Sequence, residues 1–398
     1  MTEFTVLIAM MISVVALATD IMLPALDDIG SELAVEHPND AQLVISSLFL
    51  GLAGGQFAVG PLSDSFGRKP IIILGYLLFI TGCLISVFAT TFSMMLLGRA
   101  LQGVGMSAPR IVSVAMVRDC FRGRKMARIM SVVMAVFIIV PALAPAMGQA
   151  VIMSAGWRAT FLLLLGQAVI VLAWFVFRQP ETLPRRERRR LSLSSMAAGT
   201  KEICAQRSVM GYTIAMGLIF GAFLGYLSSA QQVFQVTFKT GQLFVLYFGV
   251  AALAIGVASL VNATIVMSIG MRALTWWAFV AISGFSLVFV VPAIAMNGIP
   301  PLWLFMVWLL AVFFCVGIVF GNLNALAMEP LGQMAGLGAA IVGSFATFIS
   351  LPFGWAIGFA FDGGVVPLVS GFGLLSLASL SLIAWTERPP RRLIRSDS

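Results

Sequence analysis

The chain has 398 residues, of which 60% are apolar and only 10% charged. Soluble domains carry roughly 45–50% apolar and 25% charged residues, so a water-soluble globule is excluded and a chain dissolved largely in lipid is expected. The net charge of +8 could suit nucleic acid in a soluble protein, but its placement along this chain assigns it to membrane orientation.

A helix needs about 20 apolar residues to cross the hydrocarbon core. Twelve such runs occur, at 5–26, 41–60, 71–91, 93–116, 127–150, 158–178, 209–236, 243–267, 273–296, 301–328, 334–358 and 365–386. The expected fold class is an all-α integral membrane protein with twelve transmembrane helices. With the N-terminus inside, the even-numbered loops and the C-terminus hold 20 of the 24 Lys and Arg; only Arg158 and Lys239 fall outside. Positive residues remain on the cytoplasmic side because moving them across is costly, so both termini are expected there. Ala16-Leu17-Ala18 could pass for a signal-peptidase site, but no basic segment precedes it and the apolar run continues to Leu26. An uncleaved first helix is expected. The four cysteines, at 83, 120, 204 and 315, suggest neither an extracytoplasmic disulfide nor a metal site.

In the first span Asp20 is the only carboxylate well inside any of the twelve, and Pro24 follows it. The proline removes the donor for the carbonyl of Asp20 itself, so acid and kink coincide. An intramembrane ionisable group costs on the order of 3 kcal/mol or more and is a functional candidate by default; a permanent structural pairing with an Arg is the plainer reading. His37 lies in an acidic segment, 27–40, and reads as an ordinary loop residue. Ser47, Gly51 and Gly55 in the second span form a small-residue stripe for close helix packing.

The loop Gly60–Pro70, GPLSDSFGRKP, holds Asp64, Gly67, Arg68 and Lys69. Asp64 suits a free helix start, where exposed N–H groups and the dipole favour an anion, and the start near Gly332–Gly336 is the expected partner. The fourth span, GRALQGVGMSAPR, sets Arg99, Met106 and Arg110 within about 20° of one another on a 3.6-residue helix, with Gln102 about 60° away. Two cations on one face must point at protein or a water-filled cavity. Either fixed acceptors (Asn322, Asn324, Glu329 or carbonyls) satisfy Arg110, or the transported molecule does. Pro141 and Pro145, followed by Gly148, bend the fifth span. Residues 179–207 form a basic, Ser-rich linker read as a cytoplasmic, partly disordered connector, with lipid-headgroup contact as the sharper alternative. The linker divides 1–178 from 208–387, and 388–398 is a basic tail. The second half contributes Gln231, Gln232, Gln235, Asn262, Asn322 and Asn324 as polar interior residues, each open to an interhelical or a ligand role. Gly336, Ala340 and Ser344 form a further small-residue stripe.

The pattern G-x-x-x-D-x-x-G-R-[KR]-P at 60–70 resembles the loop between helices 2 and 3 of the major facilitator superfamily. Arg99-x-x-Gln102-Gly103-x-Gly105 resembles the helix 4 motif of its drug/proton antiporter branch. The Pro141–Gly148 stretch resembles the helix 5 motif G-P-x-x-G-G, departing from it at Ala144 and Gln149. Thr19–Pro24, Gly156-Trp157-Arg158 and Pro180–Leu183 are similar to the Bcr/CflA-like multidrug efflux subgroup. The resemblance implies two six-helix bundles related by a pseudo-twofold axis, which rock about a midplane site. It also implies proton coupling through Asp20, Arg99 and Gln102, with Asp20 alternating between a protonated state and a charged one that pairs with Arg99 or faces the cavity. The cavity candidates are Arg110, Met106, Gln231, Gln232, Asn322 and Asn324. No nucleotide-binding loop, Ser/His/Asp arrangement or metal cluster appears, so no enzyme activity and no cofactor beyond the proton as coupling ion are expected. The expected partners are a small-molecule substrate and membrane lipid, without nucleic acid, for a monomer in a bacterial inner membrane. Export of a small metabolite or organic anion is the alternative to drug export, and a non-transporting sensor or scaffold the third reading.

Overall fold

In hydrocarbon every backbone N–H and C=O must be paired inside the protein, which a helix achieves within one segment. The computed structural model describes residues 2–188 and 193–387, and among them it holds helices, turns and bends but no strand. Arg189, Arg190 and the tail from Arg388 onward lie outside the described residues.

The helices are α1 (Thr2–Asp20), α2 (Leu26–Glu32), α3 (Leu43–Phe66), α4 (Arg68–Val87), α5 (Phe92–Cys120), α6 (Gly123–Ala155), α7 (Arg158–Arg178) and α8 (Leu193–Ala205). They continue as α9 (Arg207–Gln232), α10 (Phe244–Ile269), α11 (Met271–Ala295), α12 (Leu302–Met328), α13 (Ala335–Phe359) and α14 (Val366–Thr386). Among the described residues, 11 segments are long and apolar enough to cross a membrane. The remaining expected crossing is α6, a continuous helix of 33 residues whose apolar part is Ile139–Ala155. The chain is a multi-pass membrane protein.

Pro24 accounts for the first break. α1 stops at Asp20, a 3-10 turn covers Leu23–Ala25 with the proline in its opening positions, and α2 resumes at Leu26. The linker differs from the expected connector because α8 forms inside it, packed on α9 and α13 with Ile203 buried. Met196, Ala197, Ala198, Lys201 and Glu202 are good helix formers, and the buried Ile203 supplies an anchor that a polar composition conceals.

Helix α5 is central to the first half, with α3 on one side and α4 on another. Small residues let the backbones approach. A methyl group on Gly51 would collide with the Ala100 carbonyl, and one on Gly82 would sit 2.7 Å from that of Gly98. In the second half α9 packs on α12, α13 and α14. The halves meet along two seams, α3 with α13 and α6 with α10. An axis exchanging the second crossing with the eighth, and the fifth with the eleventh, carries one seam onto the other. The stripe Gly336–Ser344 lies in the first seam, where Ser344 Oγ donates to the Ala53 carbonyl at 2.8 Å. The α3–α4 junction and the ends of α5 and α7 share one face, called basic below. The face bearing Asp27, Asp28 and Glu32 is called acidic.

Candidate functional site

Asp20 ends α1 at the break, 4% exposed, and among the described residues its Oδ1 has no hydrogen-bond partner. Gly148 of α6 covers this break. A Cβ there would strike the Ile21 carbonyl, lying 2.9 Å from its carbon. The prolines that bend α6, Pro141 and Pro145, precede the contact in an unbroken helix. The fifth-span motif and the first-span acid thus meet at one point.

Arg99 is fully buried. Its Nη2 donates to the Ala18 carbonyl at 3.0 Å, its Nε to that of Val44 at 3.2 Å, and its Nη1 to Gln102 Oε1 at 2.7 Å. Gln102 Nε2 donates onward to Ser86 Oγ at 3.0 Å, and the Phe161 ring lies 5.8 Å from the guanidinium carbon. Arg99 therefore caps the end of α1, where carbonyls without helical donors concentrate negative partial charge. Among the described residues no hydrogen bond or ion pair joins Arg99 to Asp20, so the pairing expected for a charged Asp20 is not formed in this conformation. From the other half comes Tyr226 of α9, whose buried hydroxyl also lacks a partner and stands within electrostatic reach of Asp20.

The Tyr226 ring meets Phe313 edge-on at 4.7 Å and stacks on Phe248 at 5.7 Å. Phe223 and Phe320 pack at 5.8 Å, and Phe220 reaches across to Phe49 of α3 at 5.5 Å. This aromatic wall joins the halves, and sequence reading missed it. In a chain with 31 Phe, those facing lipid and those facing a cavity look alike.

Arg110 and Met106 share the inward face of α5, which is continuous through Pro109. Met106 is buried and Arg110 half-buried. Among the described residues Arg110 has no hydrogen bond and no ion pair. Its expected acceptors are engaged elsewhere or exposed. Asn322 exchanges two 3.0 Å hydrogen bonds with Asn262, Glu329 pairs with Arg272 at 3.1 Å, and Asn324 is exposed. Gln231 and Gln232 join the halves on the acidic face. Gln231 Nε2 donates to Asp27 Oδ2 at 3.0 Å, while Gln232 donates to Asn39 at 3.0 Å and accepts from Gln42 at 2.7 Å. Gln42 also donates to the Gly358 carbonyl, and Asn39 to that of Phe359. This clasp closes the acidic face, and sequence reading had not anticipated its first-half members.

On the basic face, Arg68 gathers the loop Gly60–Pro70. Its buried guanidinium donates to Asp64 Oδ1 at 2.5 Å, Ser63 Oγ at 2.8 Å and Asp119 Oδ2 at 2.9 Å. The backbone N–H groups of Arg68 and Lys69 open α4 and donate to the Glu181 carboxylate at 2.9 and 3.2 Å, while Lys69 Nζ donates to the Val176 carbonyl at 2.8 Å. Gly67 turns the chain with φ 108°, a conformation in which a side chain is strained and a Cβ would also press on Glu181 and Arg188. Gly60 lies in the α3–α13 seam, where a methyl group would touch Ala340 at 3.5 Å. Asp64 reaches the first turn of α13, its Oδ2 standing 3.8 Å from a methyl placed on Gly336. Among the described residues it makes no capping hydrogen bond there, contrary to expectation; its Oδ1 accepts from Arg68 instead. Asp119 and Glu181 are sites that sequence reasoning did not assign; their signal is acidity at helix ends otherwise rich in Arg. On the acidic face Glu32 pairs with Arg158 and accepts from Trp157 Nε1 at 2.6 Å.

Comparison with known proteins places these features in context. The family model described as Major Facilitator Superfamily matches residues 8–354. A bicyclomycin resistance protein homolog of Haemophilus influenzae is 26% identical over 82% of this chain and 81% of its own. The multidrug resistance protein MdtL of Vibrio parahaemolyticus is 24% identical over 94% of this chain and 92% of its own. Among solved structures, the xylose transporter XylE of E. coli, in a partially occluded inward-open conformation, superposes with a TM-score of 0.75. It is 12% identical, covering 98% of this chain and 99% of that one, a likeness of fold alone.

Proposed function

The chain belongs to the major facilitator superfamily, and on that premise we propose that it exports small amphipathic compounds, drugs and antibiotics among them, in exchange for protons by alternating access. The relatives named for multidrug and bicyclomycin resistance support export. The basic face is then cytoplasmic, with both termini, in a bacterial inner membrane. The observation that carries proton coupling is Asp20, a buried carboxyl at a helix break with no hydrogen-bond partner among the described residues. An uncompensated charge there costs several kcal/mol, so the clasped state accepts the neutral acid and resists the charged one.

The proposed cycle starts from the clasped state. With the clasp of Asn39, Gln42, Gln231 and Gln232 open, Asp20 meets external water and takes a proton. The halves, 1–178 and 208–387, then close over a neutral side chain. Once the cytoplasmic side opens, substrate and proton compete for the cavity, and the proton leaves inward. Arg99 and Gln102 hold the end of α1 throughout, and Gly148 lets α6 seal it. On the other face Arg68 holds Asp64 beside the first turn of α13, where the carboxylate can meet the second half as the cycle proceeds. The test is transport into proteoliposomes under an imposed pH gradient, across cationic, neutral and anionic compounds. Accumulation that a protonophore abolishes is expected; immobility of every compound would instead favour a sensor or scaffold. One observation, the unpartnered Arg110, favours organic anions as substrates.

A further inference from the structure

A guanidinium inside a membrane protein stays charged and needs acceptors. Arg99 has three, whereas Arg110, about 16 Å further along the same helix face, has none among the described residues. The packing around α5 shows where it points. Gly105 and Pro109 lie against Gly75 of α4, and Gly103 and Ser107 against Leu48 and Gly55 of α3. Arg99 and Ser113 reach Ala18 and Met11 of α1. Arg110 falls between the α1 and α3 strips, about 60° around the helix from Ser113. Val114, one turn further on and about 40° toward α3, is 37% exposed, so α5 is uncovered on this side toward the basic face. The opposite, lipid-side gap of α5 is marked by Leu97, which is 62% exposed. Arg110 is therefore directed into the space between the halves.

Resting on the efflux reading, we propose that Arg110 is the contact in the transport cavity that recognises an anionic group, and that its preferred substrates are aromatic amphiphiles bearing a carboxylate or comparable oxyanion. The two ends of such a molecule have matching surfaces. The planar fork of Arg110 takes a carboxylate in two parallel hydrogen bonds. Phe220, Phe223 and Phe320 offer ring faces and edges to the apolar body. Phe49, which meets Phe220, sits on α3 one turn before Leu52, the residue beside Gly103, so the wall lies about 15 Å from Arg110 along the pore, a span that a fused aromatic system with one acidic substituent covers. A purely cationic substrate would meet a repelling charge at this end. A rank order among substrates, acids ahead of cations, is therefore expected.

Rhodamine B, which carries a carboxylate, and its ethyl ester, which does not, form a matched pair of probes. In proteoliposomes the wild type is expected to move rhodamine B faster than the ester. Arg110→Lys keeps the charge and loses the fork; it is expected to slow rhodamine B about ten-fold, leaving the ester within two-fold and the melting temperature unchanged. Equal losses for both probes with a lowered melting temperature would show a structural arginine and overturn the proposal. Transport of the ester without preference for the acid would also overturn it, while leaving the efflux reading intact. If neither probe moves, efflux of such compounds fails, and fluorescence anisotropy of the solubilised protein decides the site separately. Tighter binding of rhodamine B than ester, lost in Arg110→Lys, sustains it, and equal binding sinks it.

Discussion

Gly148→Ala tests the physical core of the site, the approach of α6 to the break in α1. The added Cβ would strike the Ile21 carbonyl, with the carbonyl carbon at 2.9 Å and Cα at 3.4 Å. Backbone atoms cannot step aside as a side chain does, so α6 must withdraw wherever the two helices are in contact. Overpacking of this kind costs typically about 1–3 kcal/mol. Both helices belong to the first half, so the penalty separates the two states through α6 bending away from the break in α1 at Pro141 and Pro145 as the acidic face opens. That bending is what the variant tests. A bias of about 1–3 kcal/mol shifts a two-state equilibrium roughly 5- to 150-fold. Ser228 of α9, 1% exposed, offers a position whose cysteine can be labelled only when the acidic face opens. With the native cysteines replaced, Gly148→Ala is expected to raise the labelling rate of Ser228→Cys by an impermeant maleimide by that factor. Gly54→Ala is the control, since nothing lies within 4 Å of its added Cβ. Labelling no faster in Gly148→Ala than in Gly54→Ala would refute the argument.

The clasp and the basic-face cluster yield two further expectations. Gln42→Ala and Gln232→Ala each remove the 2.7 Å bond between the halves; a net hydrogen bond is worth about 0.5–1.5 kcal/mol, so the two effects on Ser228→Cys labelling should be less than additive, and strict additivity would show that the glutamines act apart. Arg68→Ala leaves Asp64 and Asp119 facing each other without their shared cation. Breaking a buried pair costs about 3–5 kcal/mol, less here because Asp64 is 36% exposed. A clearly lowered melting temperature, partly recovered by adding Asp119→Asn, is expected. A stable Arg68→Ala protein, or one that Asp119→Asn does not help, would remove the cluster from the account.

Much of the architecture is legible in the sequence. Hydrocarbon thickness fixes span length, and the cost of moving Lys and Arg fixes a charge bias, so both are written into local composition. The break at Asp20 and Pro24 was legible for the same reason, since a proline acts on its own helix. The partners of the singled-out residues were hidden because they come from distant parts of the chain. Spacing on α5 placed Arg99 and Gln102 on nearby faces but could not show that Arg99 takes the Ala18 and Val44 carbonyls. The loop at 60–70 announced Arg68, whereas Asp119 and Glu181 reach it from the ends of α5 and α7. Gln232 was visible as a polar residue, but its bonds to Asn39 and Gln42 depend on how the two halves meet. α8 escaped notice because its described residues are mostly polar or exposed apart from the buried Ile203, which gives too little periodic signal.

The central claim is that Asp20 carries the proton exchanged for substrate. The most direct measurement is substrate-driven proton movement in proteoliposomes loaded with a pH-sensitive dye, comparing wild type with Asp20→Asn. The asparagine is nearly isosteric and neutral, like the protonated acid, so the protein should fold and bind the same substrates. The account predicts proton flux on substrate addition in the wild type and none in Asp20→Asn, with substrate binding by the solubilised variant retained. Continued proton exchange by Asp20→Asn, or its accumulation of substrate against a gradient, would contradict it.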